Sequence, residues 1–118
     1  MTMVFDIKTT KYERTIDIIE NDADFAAANK MADPRECKAC IYDCFTNDGI
    51  RDIFFIKTES KNYIALCGRS YVYGAIDHWS ISKLFTVDKN EGNQIYMEII
   101  KSKFISKKGK TFYKTNRF

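Results

Sequence analysis

The chain has 118 residues, 45% hydrophobic and 14% aromatic, with 19 Lys+Arg against 16 Asp+Glu for a formal charge of +3. That is the length of one domain with enough apolar material for a core, which excludes a globally disordered chain. No apolar run approaches the roughly 18 residues of a membrane span, so a membrane is not expected among its partners.

The charge is unevenly placed. Lys101–Phe118 holds seven basic residues and no acidic one, leaving 12 basic against 16 acidic in the first hundred. The opening Met1-Thr2-Met3-Val4-Phe5-Asp6 has neither a basic n-region nor an apolar h-region, so no signal peptide is expected. On that reading the four Cys are reduced thiols, and the setting is the cytoplasm of a cell or a virus particle assembled there.

In chain order, Met3–Lys8 alternates apolar and polar positions and reads as a strand. Lys11–Glu20 carries Tyr12, Ile16 and Ile19 at helical spacing. Asp22 can cap a second, Ala-rich helix over Ala23–Met31. Asp33-Pro34-Arg35-Glu36 has the form of a capped helix start, with Pro at the first helical position and Glu at the third. A helix is therefore expected from Pro34 to about Phe45, ended by the Asn47-Asp48-Gly49 turn. Ile50–Thr58 and Asn62–Cys67 read as strands joined by a hairpin loop at Glu59-Ser60-Lys61-Asn62. Gly68 and Gly74 bracket an irregular, Tyr-rich stretch. Trp79–Val87 alternates again, with a slip near Lys83 that suggests a bulge. Gly92–Lys107 carries a broad apolar helical face, and Lys110–Thr115 reads as a last strand.

Cys37, Cys40 and Cys44 fall at i, i+3 and i+7 of the expected helix, on one stripe with Ile41. Such a stripe reads as core packing, since free Cys behaves as a small buried hydrophobe, and no metal is expected. His78, the one histidine, stands in Ile76-Asp77-His78-Trp79. Neighbours on a strand point to opposite faces, so Asp77 is not expected to orient it as a general base. At Asp88–Ile95 a strand gives way to a helix across Gly92, an arrangement whose free amides and positive dipole end suit phosphate.

The order of elements and this strand-loop-helix resemble the GNAT N-acetyltransferase fold. In that family a bulged central strand leads into a Gln/Arg-x-x-Gly-x-Gly/Ala loop that holds the acetyl-coenzyme A pyrophosphate. Here Trp79–Val87 corresponds to the strand and Lys89-Asn90-Glu91-Gly92-Asn93-Gln94 to the loop. Lys89 stands in place of Gln or Arg, and Gln94 in place of the small last residue. The resemblance places Val87, Lys89, Gly92, Asn93 and Gln94 at a cofactor, acetyl-coenzyme A, if the chain is an enzyme. Tyr113 is then the candidate general acid. Asn29-x-Met31-x-Asp33-x-x-Glu36 is similar to the start of small acetyltransferase-like proteins of tailed phages.

The resemblance implies an α+β fold with a mixed, mainly antiparallel sheet, helices packed on it, the order β-α-α-β-β-β-α-β, and the C-terminal part of the family fold missing. It implies a non-catalytic binding or assembly protein of a virion or of a host interaction, working in an oligomer. Two alternatives stand beside it. One is an acetyl-coenzyme A-dependent N-acetyltransferase; the other is a nucleic-acid-binding protein using the basic end. Lys107, Lys108, Lys110, Lys114 and Arg117 are the expected partner-binding residues, on an open sheet edge that another chain would cover.

Overall fold

A computed structural model of the chain describes residues 2–7, 10–15, 23–58 and 61–102. It is an α+β fold in which six antiparallel strands form one sheet, with a helix on each face. The elements run β1 (Thr2–Ile7), β2 (Thr10–Thr15), α1 (Ala23–Lys30), β3 (Ala39–Thr46), β4 (Gly49–Lys57), β5 (Asn62–Val72), β6 (Ala75–Val87) and α2 (Lys89–Ser102). The sheet order is β2-β1-β3-β4-β5-β6. This departs from the expected β-α-α-β-β-β-α-β at three points.

Thr10–Thr15 is a strand where a helix was expected over Lys11–Glu20. Its Tyr12 faces inward while Lys11 and Glu13 face out, and it pairs with β1 from Thr2–Thr15 to Ile7–Thr10. One inward apolar residue is enough for a two-residue period and too few for a helical stripe. Ile16 and Ile19 lie outside the described residues, as do Asp22 and the expected strand Lys110–Thr115.

The second departure is Pro34–Phe45. The capped turn forms: Asp33 Oδ1 accepts from the Arg35 amide at 2.7 Å, and Asp33 O accepts from Glu36 and Cys37 amides at 2.9 and 3.0 Å. The helix does not propagate. The Lys38 amide already donates to Phe55 O at 2.9 Å, and Ala39–Thr46 continues as β3 alongside β4. Ile41, Tyr42, Phe45 and Thr46 prefer a pleated surface, and a long-range ladder outweighs one local cap. The Asn47-Asp48-Gly49 turn is thus a hairpin turn, with Gly49 at φ 97°.

The third is the stretch between Gly68 and Gly74, which is regular rather than irregular. β5 continues to Val72 and β6 begins at Ala75, so the two make one long hairpin with its tip at Tyr73-Gly74. Elsewhere the expected strands over Met3–Lys8, Ile50–Thr58, Asn62–Cys67 and Trp79–Val87 and the helix over Ala23–Met31 form with shifted ends. The slip near Lys83 is a bulge at Ser82, because Leu66 pairs with Lys83 and Cys67 with Ile81.

The core has two leaves. Central strands β4 and β5 alternate between them and are buried on both sides. Ile53, Phe55, Ile64 and Leu66 join Phe5, Ile41 and Phe85 beneath α2, whereas Phe54, Ile56, Tyr63, Ala65 and Cys67 lie beneath α1 with Ala28 and Leu84. Gly92, Ile95 and Ile99 form the buried stripe of α2. Arg14 of β2 pairs with Glu91, and Thr10 Oγ1 donates to Glu98 Oε2 at 3.4 Å, so α2 is also tied over the first hairpin.

β1 joins the rest of the sheet by a narrow seam. It makes one ladder pair with β3, Phe5–Thr46. Asn47 supplies the remainder: its amide donates to Val4 O at 2.9 Å, its Oδ1 accepts from the Val4 amide at 3.1 Å, and its Nδ2 donates to Thr2 O at 2.9 Å. A side-chain amide here does the work of a peptide group.

Candidate functional site

The two ends of the sheet differ. At the end where β6 runs into α2, Val87, Lys89 and Asn93 line a cavity of about 370 Å³ together with Lys57, Lys61 and Asn62. Gly92 and Gln94 do not line it. The segment expected as a phosphate-holding loop is the first turn of α2, because the helix starts at Lys89 rather than Gly92. Asp88 is its N-cap: its Oδ1 accepts from the Glu91 amide at 2.8 Å and its carbonyl from the Gly92 amide at 2.7 Å. The Asn93 and Gln94 amides lie inside the helix, where the helical pattern directs them to carbonyls four residues back. The amides proposed for a pyrophosphate are therefore engaged, and a carboxylate already occupies the helix start.

Gly92 has a packing role. A Cβ there would stand 3.1 Å from Asn62 Nδ2, 3.4 Å from Val87 Cγ2 and 3.5 Å from Phe55 Cε1. Its missing side chain lets α2 approach the sheet closely. Val87 itself is buried in the core beneath α2.

At the opposite end a polar cluster sits on the α1 face, beyond the helix. Asp52 of β4 is 2% exposed and accepts four hydrogen bonds. Arg69 Nε and Nη2 donate to its two oxygens at 2.7 Å each, Trp79 Nε1 at 2.6 Å and the Asp43 amide at 3.0 Å. A buried carboxylate is tolerated when it is paired and its lone pairs are used, and both conditions hold. Hydrogen bonding to Asp52 holds the Arg69 proton more tightly than usual, against the opposing effect of burial. The Arg69 guanidinium lies 5.2 Å over the Tyr42 ring, and Tyr42 stacks on Trp79 at 5.9 Å.

This cluster also bends β3. Ile41 pairs with Ile53 and Cys44 with Arg51, so Tyr42 and Asp43 together oppose Asp52. Asp43 occupies the bulge at φ 60°, a conformation short polar side chains tolerate, latched by its amide to Asp52 and by Arg69 Nη2 to its carboxylate at 2.9 Å. The bulge shifts the alternation by one residue. Cys37, Cys40 and Cys67 therefore lie in the leaf beneath α1 and Cys44 in the other, so the single thiol stripe expected of a helix does not exist. Burial, then the Asp52, Asp43 and Asp6 charges, push the Cys44 thiol up from 9.0 to about 12, and burial raises Cys67 likewise. All four thiols are buried in the core. Among the described residues, no group of three or more His, Cys, Asp or Glu side chains converges as a metal ion requires.

A second bulge alters the histidine. Ser70 pairs with His78 and Tyr71 with Ile76, leaving Asp77 unpaired in β6. That irregularity defeats the strand alternation, and Asp77 Oδ2 lies 2.7 Å from His78 Nδ1, both residues about half exposed.

Beyond the cluster the long hairpin projects, and its surface is apolar. Tyr71 is 57% exposed, and Val72 and Ile76 are exposed beside it; Phe45 and Ile50, at 68% and 56%, flank the neighbouring turn. At the tip, Tyr73 and Gly74 have φ 51° and 80°, the two positive values of a mirror-image two-residue turn. Asn, Asp or Gly suits the first of these positions. A tyrosine there costs about 1–2 kcal/mol of backbone strain, and its side chain is fully exposed (103%), so no contact within the described chain offsets the cost. A cavity of about 570 Å³ opens at the same end, lined by Ile50, Arg51, Gly68, Ser70, Tyr71 and Ser80 among others.

Neither outer strand of the described sheet offers a flat edge. β6 carries the two bulges, at Asp77 and Ser82, and β2 presents Lys11, Glu13 and Arg14, devices that discourage strand addition. Tyr113, Lys107, Lys108, Lys110, Lys114 and Arg117 lie outside the described residues. Among the described residues no helix is long and apolar enough to cross a membrane. Comparison of the chain with protein-family models finds no match, and neither the curated proteins nor the solved structures provide one.

Proposed function

We propose that the chain is a non-catalytic binding module that docks a protein partner on the aromatic end of its sheet. The observation that carries this reading is Tyr73, fully exposed on a strained left-handed backbone at the tip of a hairpin braced from below. Strain retained without internal compensation fits a contact made outside the fold. Exposed Tyr71, Val72, Ile76, Phe45 and Ile50 at the same end supply the apolar and aromatic side chains that recognition surfaces favour. The Asp52–Arg69–Trp79 brace gives that surface a fixed shape before binding, which lowers the ordering cost of association. The virion or host-contact setting implied by the acetyltransferase-like resemblance belongs to this proposal, since such settings use folds as assembly parts.

The test replaces Tyr73 by a photoreactive phenylalanine in the full chain, in the cells that make it, with the same group at Lys61 on the opposite end as control. The expected result is a discrete crosslinked species from position 73 that disappears when Tyr71→Ser and Ile76→Ser are added. Equal crosslinking from both positions, or none from position 73, overturns the reading.

A further inference from the structure

We infer that the cavity of about 570 Å³ at the hairpin end is a binding site for a phosphate group, held over Gly68 by Arg51, Ser70, Ser80 and Lys83. Ladder register decides which side chains share it. Arg51 opposes Cys44 and Lys83 opposes Leu66, and both of those partners belong to the leaf beneath α2. Gly68 and Ser70 follow Leu66 at the two-residue period of a strand, opposite Ser80 and His78. Arg51, Ser70, Ser80 and Lys83 therefore stand on the α2 face. None of the four is buried, so the packed leaf ends before them. By the same alternation Ile50 and Tyr71 point to the other face, with the Asp52–Arg69–Trp79 brace. The cavity thus opens away from the docking surface, and the inference does not depend on that reading.

The chemistry is that of an oxyanion site. Continuing the Asp52–Cys67 register by one step sets Arg51 beside Gly68, with Ser80 on its other side. A guanidinium, an ammonium and two hydroxyls are then drawn from three neighbouring strands, roughly 10 Å across. The floor between them has no side chain. Nothing lies within 4 Å of a Cβ built on Gly68, so a ligand can reach the backbone there. Donors converging from several sides suit a tetrahedral group, where a planar carboxylate would use one fork.

Carboxylates do not compete for the space. Arg69 holds both Asp52 and Asp43 on the opposite face, and Asp77 contacts His78 at 2.7 Å. Asp48 meets Arg51 only at 3.5 Å, longer than the roughly 2.7–2.9 Å of a tight charge-assisted bond. Among the described residues Lys83 has no carboxylate partner, and the Ser70 and Ser80 hydroxyls have no hydrogen-bond partner. Ser82 differs, since its Oγ donates to Leu66 O at 2.8 Å.

The experiment is an amide chemical-shift titration of the isotopically labelled full chain with inorganic phosphate, acetate and chloride, at neutral pH and matched ionic strength. Saturable shifts with phosphate are expected at Gly68, Ser70, Ser80 and Lys83, with a Kd on the order of 1 mM for a small ligand in an open site. Acetate should bind more weakly than phosphate, and chloride should not saturate. Gly68→Val fills the floor from open space, keeps every charge and suits a strand, and it should remove saturable binding. Lys83→Gln should weaken binding about 10-fold, the loss of one charge-assisted hydrogen bond. Circular dichroism melts establish that both variants fold. Phenyl phosphate binding as tightly as inorganic phosphate marks a group carried on a larger molecule, and inorganic phosphate binding alone marks the free ion. An adventitious ion only, with chloride moving the same amides as phosphate does, overturns the inference. So do shifts gathered at Lys57, Lys61 and Lys89, or phosphate binding that both variants leave unchanged.

Discussion

The two ends of the sheet solve their surface problem in opposite ways. Where β6 enters α2, Asp88 caps the helix, Gly92 fits against Asn62, Val87 and Phe55, and lysines ring a modest cavity. At the hairpin end the Asp52 carboxylate is saturated underneath by Arg69, Trp79 and the Asp43 amide, while apolar side chains are left in solvent. Polar satisfaction below and apolar exposure above is the arrangement of a rigid docking surface, whereas a capped helix end with glycine packing is a structural joint. The contrast is between a helix start whose Glu91 and Gly92 amides are taken up by Asp88 and a hairpin surface that the fold leaves open.

Breaking the brace should have the largest effect. Asp52→Ala leaves the Arg69 guanidinium and the Trp79 indole without their acceptor, and the Asp43 bulge without its latch. Removing one partner of a buried pair costs about 3–5 kcal/mol, which urea unfolding at neutral pH will read. A loss under about 1 kcal/mol would mean that the brace does not stiffen this end.

Asn47→Ala should come next, at about 1–2 kcal/mol, because the Asn47 side chain makes two hydrogen bonds of the β1 seam, while its backbone amide keeps the third. Hydrogen exchange should speed up in β1 before it does in β4 or β5.

The thiols give a pH dependence. Cys44 stays protonated in the fold up to about pH 12 but ionises near 9.0 once unfolded. The stability associated with the neutral thiol is complete below pH 9 and is lost as pH rises towards 12. Urea midpoints measured at pH 8 and pH 10.5 should fall, and the fall should shrink in Cys44→Ala.

The smallest effect belongs to the joint. Gly92→Ala gains helix propensity and presses only the movable end of Asn62, so a net stabilisation of about 0.5 kcal/mol is expected in thermal melts. A large loss would mean that the helix N-terminus is packed more rigidly than its neighbours indicate.

Much of the fold was readable from residue patterns, and the failures have physical causes. Continuous apolar runs in Ile50–Thr58 and Asn62–Cys67 marked the central strands, because burial on both faces leaves no polar alternation. The Asp33 cap forms but the helix expected behind it does not, because a cap is local and cannot foresee that Lys38 will pair with Phe55 across the sheet. The thiol stripe and the Asp77–His78 contact were both misread because a bulge changes which face a side chain occupies, and the cue for a bulge is weak. Asp52 was the visible hint of the brace: a lone carboxylate amid Ile and Phe calls for a buried cation. Which cation, and that Trp79 would join it, depended on the register of three strands. The exposed hairpin tip was hidden because Gly68 and Gly74 make the Tyr-rich stretch between them read as irregular, whereas its strand pairing is set across β5 and β6.

The most direct test of docking at the hairpin end is a crosslinking scan in the cells that make the chain, with the photoreactive group placed in turn at Phe45, Ile50, Tyr71, Tyr73 and Ile76 and at Lys57, Lys61 and Lys89. Discrete crosslinked species are expected from the first five positions and not from the three lysines. Crosslinks gathered at the lysines, or none at the hairpin end, would contradict it.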